Sequence, residues 1–290
     1  MIVVTGATGR LGRAIVEKLV ELVPAHGGVG ASVRDPEKAA SLSALGVRVR
    51  RGDFADPQSL RQAFEGATQV LIVSSNARAS GGDPLAQHRS AIEAARAAGA
   101  RRIVYTSHMA ASASSAFPPM LDHQATEAML KQCGLAWTAL RNGFYAASGI
   151  ALMGDALRTG LLETPVDGKI AWTAHADLAE AAAAILADEG RYDGPTPPLT
   201  GSQALDFADL AGIASELLGK PVHRETLPDE VLRAKIVARG APEAAATMLL
   251  GLYAASRNGE FATVDPTLGQ LLGSSPTTMR ELIAEKVGHR

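Results

Sequence analysis

At 290 residues, 47% hydrophobic and 20% charged, the chain has the size of a main domain plus a smaller lobe and is too apolar for intrinsic disorder. A formal net charge of -2 excludes a basic nucleic-acid face and leaves a small molecule as the expected partner. The single cysteine, Cys133, excludes a disulfide within the chain or a zinc cluster and suits a reducing compartment.

The predicted elements begin with "IVVT" at Ile2, a short β-branched run. After it, Leu11, Ile15, Leu19 and Val23 recur at four-residue spacing and predict a helix with one apolar face, ended by Pro24. Further strands are expected at "GASV" from Gly30, "VRVR" from Val47, "VLIVS" from Val70, "RIVYTS" from Arg102 and "AWTAL" from Ala136. Strands alternating with helical segments define a parallel sheet with crossover helices. Two loops rich in small residues, from Ser74 and from Ser107, follow such strands and so stand where open α/β sheets bind ligands. Beyond about residue 143 the rhythm changes to helices separated by Gly and Pro turns, as in "ADLAEAAAAILADEG" and "FADLAGIASELLGKP". The expected fold is therefore α/β. A Rossmann-like doubly wound sheet spans 1–143 and a smaller, mainly helical lobe spans 144–290, with a strand and helix near 168–188 returned to the main domain. No basic region precedes an apolar stretch at the start, and no segment approaches the roughly 18 apolar residues of a membrane span, so a cytoplasmic protein without membrane contact is expected.

The turn after the first strand carries Gly6, Gly9 and Gly12, with Thr8, Arg10 and Leu11 among them. A strand, then glycines, then a helix start is a device for a dinucleotide: the helix end offers free N–H groups and partial positive charge, and glycine lets the pyrophosphate approach. About 20 residues past the glycines, where the adenosine ribose is read, stands Arg34, whose forked donors suit a 2′-phosphate. Asp35, next in sequence, suits a free 2′-hydroxyl instead. NADP(H) is the favoured cofactor, with NAD(H) the alternative that Asp35 leaves open.

Taken together, "TGATGRLG", "SVRDP", "RRGDFADP" and "VLIVSS" resemble the NmrA-like group of atypical short-chain dehydrogenases/reductases. "QHRSAIEAARAAGARRIVYTS", "LRNGFY" and "GKIAWTAHADLAEAAAAIL" are similar to its NAD(P)H:quinone oxidoreductase type 2 branch. The resemblance implies that Asp53 and Phe54 contact the adenine, that Ser74 and Ser75 line the ribose side, and that Asn142, Gly143 and Phe144 sit under the nicotinamide. Read without it, Asp53 is equally a turn acceptor and Ser74–Ser75 a loop start.

Many relatives in the wider superfamily protonate their substrate with a tyrosine activated by a lysine four residues on, and none of the four tyrosines here has that partner. At the helix written "DHQATEAMLKQCG", where related reductases carry a lysine, this chain has His123. His123 is the expected general acid, or else a loop-ordering histidine at a helix start. Ser107 and His108 are candidate substrate contacts, and Tyr145, Trp172 and Phe144 candidate stacking surfaces for a flat substrate. The seven histidines show no metal-ligand spacing, so no metal is expected. The implied reaction is hydride transfer from NADPH to a quinone or similar conjugated carbonyl. The alternatives are a non-catalytic NAD(P)-sensing regulator and a reductase of another carbonyl or imine.

Overall fold

The computed structural model describes residues 1–23 and 28–288. The chain divides into two compact units. The first comprises Met1–His108, Asp122–Asn142 and His175–Pro197, and the second comprises Met109–Leu121, Gly143–Ala174 and the chain from Pro198 on. One break between the units falls at Asn142–Gly143, and each unit is interrupted by the other. Residues 109–121 belong to the second unit, and what returns to the first is His175–Pro197 rather than 168–188. The strand expected in that segment, Trp172–Thr173, pairs instead with Phe144–Tyr145 in the second unit.

The first unit is built on seven parallel strands: β1 (Ile2–Thr5), β2 (Val29–Val33), β3 (Arg48–Arg51), β4 (Gln69–Ile72), β5 (Arg102–His108), β6 (Ala136–Asn142) and β7 (Gly194–Pro195). Their order across the sheet is β7-β6-β5-β4-β1-β2-β3. All four residues of β1 and all five of β2 are buried, so these strands read as continuous apolar or small-residue runs, the pattern of a sheet covered on both faces. The crossover helices are α1 (Arg10–Leu22), α2 (Ala40–Ala44), α3 (Pro57–Phe64), α4 (Pro84–Ala97), α5 (Pro118–Gln132) and α6 (His175–Ala187). The fold is the Rossmann-like doubly wound sheet, with strand order reversing direction between β1 and β4.

Local chemistry sets the helix limits. Helices α3 and α4 both open on an Asp-Pro pair, the Asp56 carboxylate accepting from the Ser59 amide and that of Asp83 from the Leu85 and Ala86 amides. The proline sacrifices an N–H that the first turn does not need. Helix α1 buries Leu11, Ile15, Val16 and Leu19 and ends at Leu22, where the Val23 amide bonds Leu19 O. Pro24, the expected terminator, lies outside the described residues. Truncating a fully buried side chain such as Leu19 to Ala costs about 2–5 kcal/mol. On the edge strand β3, Arg48 donates to the carbonyls of Ala63 and Glu65, and Arg50 to that of Gln62. These cations satisfy the last carbonyls of α3, where the helix dipole favours positive charge.

The second unit is mainly helical. It carries two small parallel ladders, Leu161–Thr164 with His223–Thr226 and Phe144–Tyr145 with Trp172–Thr173. Its core gathers Phe144, Trp172, Phe207, Leu210, Tyr253 and Phe261. The helix Phe207–Leu218 starts in a reciprocal cap: Asp206 accepts from the Ala208 and Asp209 amides, and Asp209 accepts from the Asp206 amide.

Candidate dinucleotide site

Within the first unit the sequence-predicted cofactor residues collect at the carboxyl ends of β1 through β6. Leaving β1, the chain turns through Gly6 at φ 61°, and the Gly9 amide closes the turn on Gly6 O at 2.9 Å. Helix α1 then starts with Gly9 as its first flanking residue, without a side-chain cap and without an acid in its first turn. Its leading amides and its positive dipole end are thus left for an anion. The glycines divide the work. A Cβ on Gly12 would stand 2.4 Å from Gly6 O, so this position is reserved by backbone packing inside the fold. A Cβ on Gly9 would stand 3.2 Å from the same oxygen, and Thr8, Gly9 and Arg10 are exposed on the ligand side. Leu11 is buried, so only its backbone is available to a ligand.

At the end of β2, the two competing residues separate. The Asp35 carboxylate accepts from the Glu37 amide at 3.2 Å and pairs with Lys38 at 3.4 Å, which occupies it in capping a short 3-10 turn, Pro36–Ala39. Arg34 is exposed and makes no side-chain hydrogen bond or ion pair among the described residues. Its guanidinium is the group free to clamp a 2′-phosphate. Arg34→Ala is therefore expected to weaken NADPH by about 1.5–3 kcal/mol while leaving NADH nearly unchanged, as measured by calorimetry with each cofactor. Equal weakening of both would assign the ribose to Asp35.

After β3, Asp53 Oδ1 accepts from the Ala55 amide at 3.0 Å and Asp53 O from the Asp56 amide at 2.8 Å. Asp53 therefore shapes a tight turn that leaves Phe54 half-buried against the sheet core. After β4, the Val73 amide donates to Thr5 Oγ1 at 2.9 Å across the reversal point, and the Ser74 amide to Thr106 Oγ1 at 2.8 Å. The Ser75 amide donates to His88 Nε2 at 2.8 Å. Ser74 and Ser75 are thus held rigidly at a strand end.

His88, on α4, was not singled out by any spacing in the sequence, where it is one histidine on a helix. Its tautomer follows from its neighbours. Thr126 spends its hydroxyl proton on Asp122 O at 2.7 Å, so His88 Nδ1, 2.8 Å away, must be the donor to Thr126, and Nε2 is left to accept from Ser75. Such a ring is neutral, and burial pushes its pKa down to about 4. Since the folded-state value lies below the ordinary 6.5, His88 contributes stability that is complete above that pH and is lost as pH falls toward 4. Urea unfolding is expected to show a midpoint falling between pH 6.5 and 4, with a shallower fall in His88→Gln.

At the end of β5, Ser107 Oγ donates to Glu127 at 2.6 Å, and Glu127 also receives the Arg141 guanidinium at 3.2 and 2.8 Å. This buried network joins β5, α5 and β6 and commits the hydroxyl that the sequence offered to a substrate. His108 is buried, which pushes its pKa down to about 3, and its ring stacks on His123 with centroids 6.1 Å apart. His123 is not at a helix start, because α5 already begins at Pro118. Its Nδ1 lies 2.8 Å from the phenol oxygen of Tyr105, a fully buried residue of β5. Burial and the neighbouring His108 and His88 hold the His123 pKa well below the usual imidazole value, so the ring is neutral near pH 7 rather than a cationic acid.

Asn142, last residue of β6, is buried and its Oδ1 has no hydrogen-bond partner among the described residues. A buried acceptor left unsatisfied costs about 1–3 kcal/mol, and an amide donor from a ligand at this strand end would satisfy it. Uncapped amides, a glycine cradle, an uncommitted arginine and an orphaned acceptor along one set of strand ends fit a dinucleotide with a 2′-phosphate and an amide at its far end.

Gly143, Phe144, Tyr145 and Trp172 fall in the second unit. The Gly143 amide donates to Leu199 O at 2.7 Å, and a Cβ there would stand 2.2 Å from Thr173 Oγ1, so packing within that unit already requires glycine. Phe144 is ringed by Phe117, Trp172 and Phe261, with centroids 5.9, 5.5 and 5.0 Å away. Trp172 is 2% exposed and its Nε1 donates to Leu205 O at 2.9 Å. The expectation that Trp172 presents a flat surface to substrate is corrected: the indole is core, anchored by its one donor. Tyr145 is half-buried. Among the described residues no group of His, Cys, Asp or Glu is placed to hold a metal ion, and no helix is long and apolar enough to cross a membrane.

These features define a dinucleotide-binding protein of the Rossmann type. The chain belongs to the NmrA-like family, matched over residues 1–283. It is 36% identical over 287 residues to Quinone oxidoreductase 2 of Escherichia coli (strain K12), covering 98% of each chain. Among solved structures it is similar to the NADPH-dependent quinone oxidoreductase QOR2 of Escherichia coli complexed with NADPH, with a TM-score of 0.89 at 36% identity over 100% of this chain and 99% of that one. The triphenylmethane reductase of Citrobacter sp. complexed with NADP(H) is equally near in fold, with a TM-score of 0.89 at 32% identity over 99% of this chain and 100% of that one.

Proposed function

We propose that the protein is an NADPH-dependent oxidoreductase that passes a hydride to a quinone or a similar conjugated carbonyl, polycyclic aromatic ones included. The observation that carries this reading is His123, at the place where the resemblance implies a lysine: its ring is hydrogen-bonded to the Tyr105 phenol and burial keeps it neutral near pH 7. The names of the similar proteins, a quinone oxidoreductase and a triphenylmethane reductase, support an electron-poor conjugated acceptor. The compartment is the cytoplasm, where NADPH is available and a buried free thiol such as Cys133 stays reduced.

Bound NADPH supplies the hydride, and the protein supplies position and charge. The amides of the Gly6–Gly12 turn and the dipole of α1 hold the pyrophosphate. Arg34 clamps the 2′-phosphate. The adenine end rests on the Asp53–Phe54 turn, and the pinned Ser74–Ser75 segment borders the ribose. Asn142 Oδ1 accepts from the carboxamide and so fixes which face of the nicotinamide is offered. Following NADPH absorbance during incubation with a panel of quinones tests the proposal. Tight NADPH binding with no oxidation by any of them overturns it in favour of a cofactor sensor.

A further inference from the structure

The pairing of Tyr105 with His123 joins a fully buried phenol to a half-buried imidazole 18 positions along the chain, and no motif of the sequence contains it. The direction of this hydrogen bond decides what His123 can do. A phenol, with an ordinary pKa of about 10, is a far stronger acid than a neutral imidazole N–H, and an imidazole nitrogen is a far better base than a phenol oxygen. The favoured arrangement is therefore Tyr105 O–H donating to Nδ1. A neutral ring whose Nδ1 accepts must carry its proton on Nε2. Nε2 makes no hydrogen bond to the described residues, and it is not among their buried unsatisfied atoms. His123 is half-buried, so the edge of the ring that bears this N–H is not sealed off. Its place is functional as well: His123 stacks on His108, the last residue of β5, which is paired in register with Asn142 of β6.

We infer that Tyr105 is a positioning residue that locks His123 as the Nε2–H tautomer, so that the neutral imidazole donates a hydrogen bond to the oxygen of the quinone as it gains charge. This rests on the quinone-reductase reading above and deepens it. No proton has to leave the ring. Hydride transfer oxidises NADPH to NADP⁺ and reduces the quinone to a hydroquinone monoanion; the Nε2–H bond shares that negative charge, and the anion takes its proton from water. A neutral histidine used as an electrophile in this way avoids the cost of a buried imidazolium.

The test combines a spectrum with kinetics on the full chain. In the ¹⁵N-labelled wild type, the His123 ring is expected to show a protonated Nε2 and an unprotonated Nδ1 near pH 7. Tyr105→Phe keeps the buried volume and removes the hydroxyl. It is expected to mix the two tautomers and lower kcat with quinone several-fold, with the KM for NADPH unchanged. His123→Phe is expected to lower kcat about tenfold, and His123→Gln, whose amide nitrogen reaches the same point, to recover most of the loss. A proton found on Nδ1 in the wild type overturns the proposal, as does a Tyr105→Phe protein with mixed tautomers and undiminished kcat. If the wild type reduces no quinone, the functional reading fails, while the tautomer assignment to Tyr105 is still decided by the spectrum alone.

Discussion

Replacing Gly9 with valine is expected to give a folded protein that has lost NADPH binding by at least about a hundredfold. The backbone at Gly9 is at φ -80° and ψ 164°, an extended conformation that valine adopts readily. The nearest atom to an added Cβ is Gly6 O at 3.2 Å, a tight contact that a small shift of the turn relieves. The two methyl groups, however, would stand before the uncapped amides of α1 and exclude the pyrophosphate. Gly12→Ala provides the contrast, because its Cβ would lie 2.4 Å from Gly6 O and must displace backbone, lowering stability as well as binding. Calorimetry for affinity and thermal unfolding for stability separate the two variants. An unchanged NADPH affinity in the valine protein would remove the turn from the cofactor site.

The purified protein should also oxidise NADPH with quinones at least about a hundredfold faster than with unactivated ketones. A positioned general acid is typically worth about a hundred- to ten-thousand-fold, and a ketone needs one because hydride addition leaves a localised alkoxide. Here no tyrosine is followed by a lysine four residues on, and His123 is neutral. A quinone tolerates this, because its oxyanion is delocalised into a ring that becomes aromatic, and orientation in a shielded site supplies most of the acceleration. Steady-state rates with matched quinones and ketones test the prediction. Efficient reduction of a plain ketone would reveal an acid elsewhere in the chain.

Strands β1, β2 and β4 were legible because strands covered on both faces are unbroken apolar or small-residue runs, β3 because its valines alternate with arginines, and the glycine turn because its three residues lie within seven positions. Gly194–Pro195 was not legible, since two residues carry no periodicity and only their pairing with β6 makes them a strand. Helix α5 begins earlier than the histidine suggested, because a pair of prolines can open a helix as well as interrupt a loop. His88 and Tyr105 escaped for a different reason. Their chemistry rests on contacts with Ser75, Thr126 and His123, up to 38 positions away, and local spacing does not record such meetings. Trp172 was misread because an indole looks the same in sequence whether its face is packed or open.

The interleaving of the two units bears on how the chain is made. Helix α6 packs along α1, and Gln69 of β4 donates to Leu186 O, so the sheet that begins at Ile2 lacks one of its covering helices until Ala187 has left the ribosome. A nascent chain stalled at Ala174 holds β1 through β6 with the side of α1 that meets α6 still exposed. Because neither unit is a continuous stretch, synthesis cannot release one folded domain before starting the other. Neither unit can therefore be completed until the chain beyond residue 174 is available. Cutting the gene near codon 143 would part His175–Pro197 from the first unit and Met109–Leu121 from the second, where a cut between sequential domains would yield two proteins.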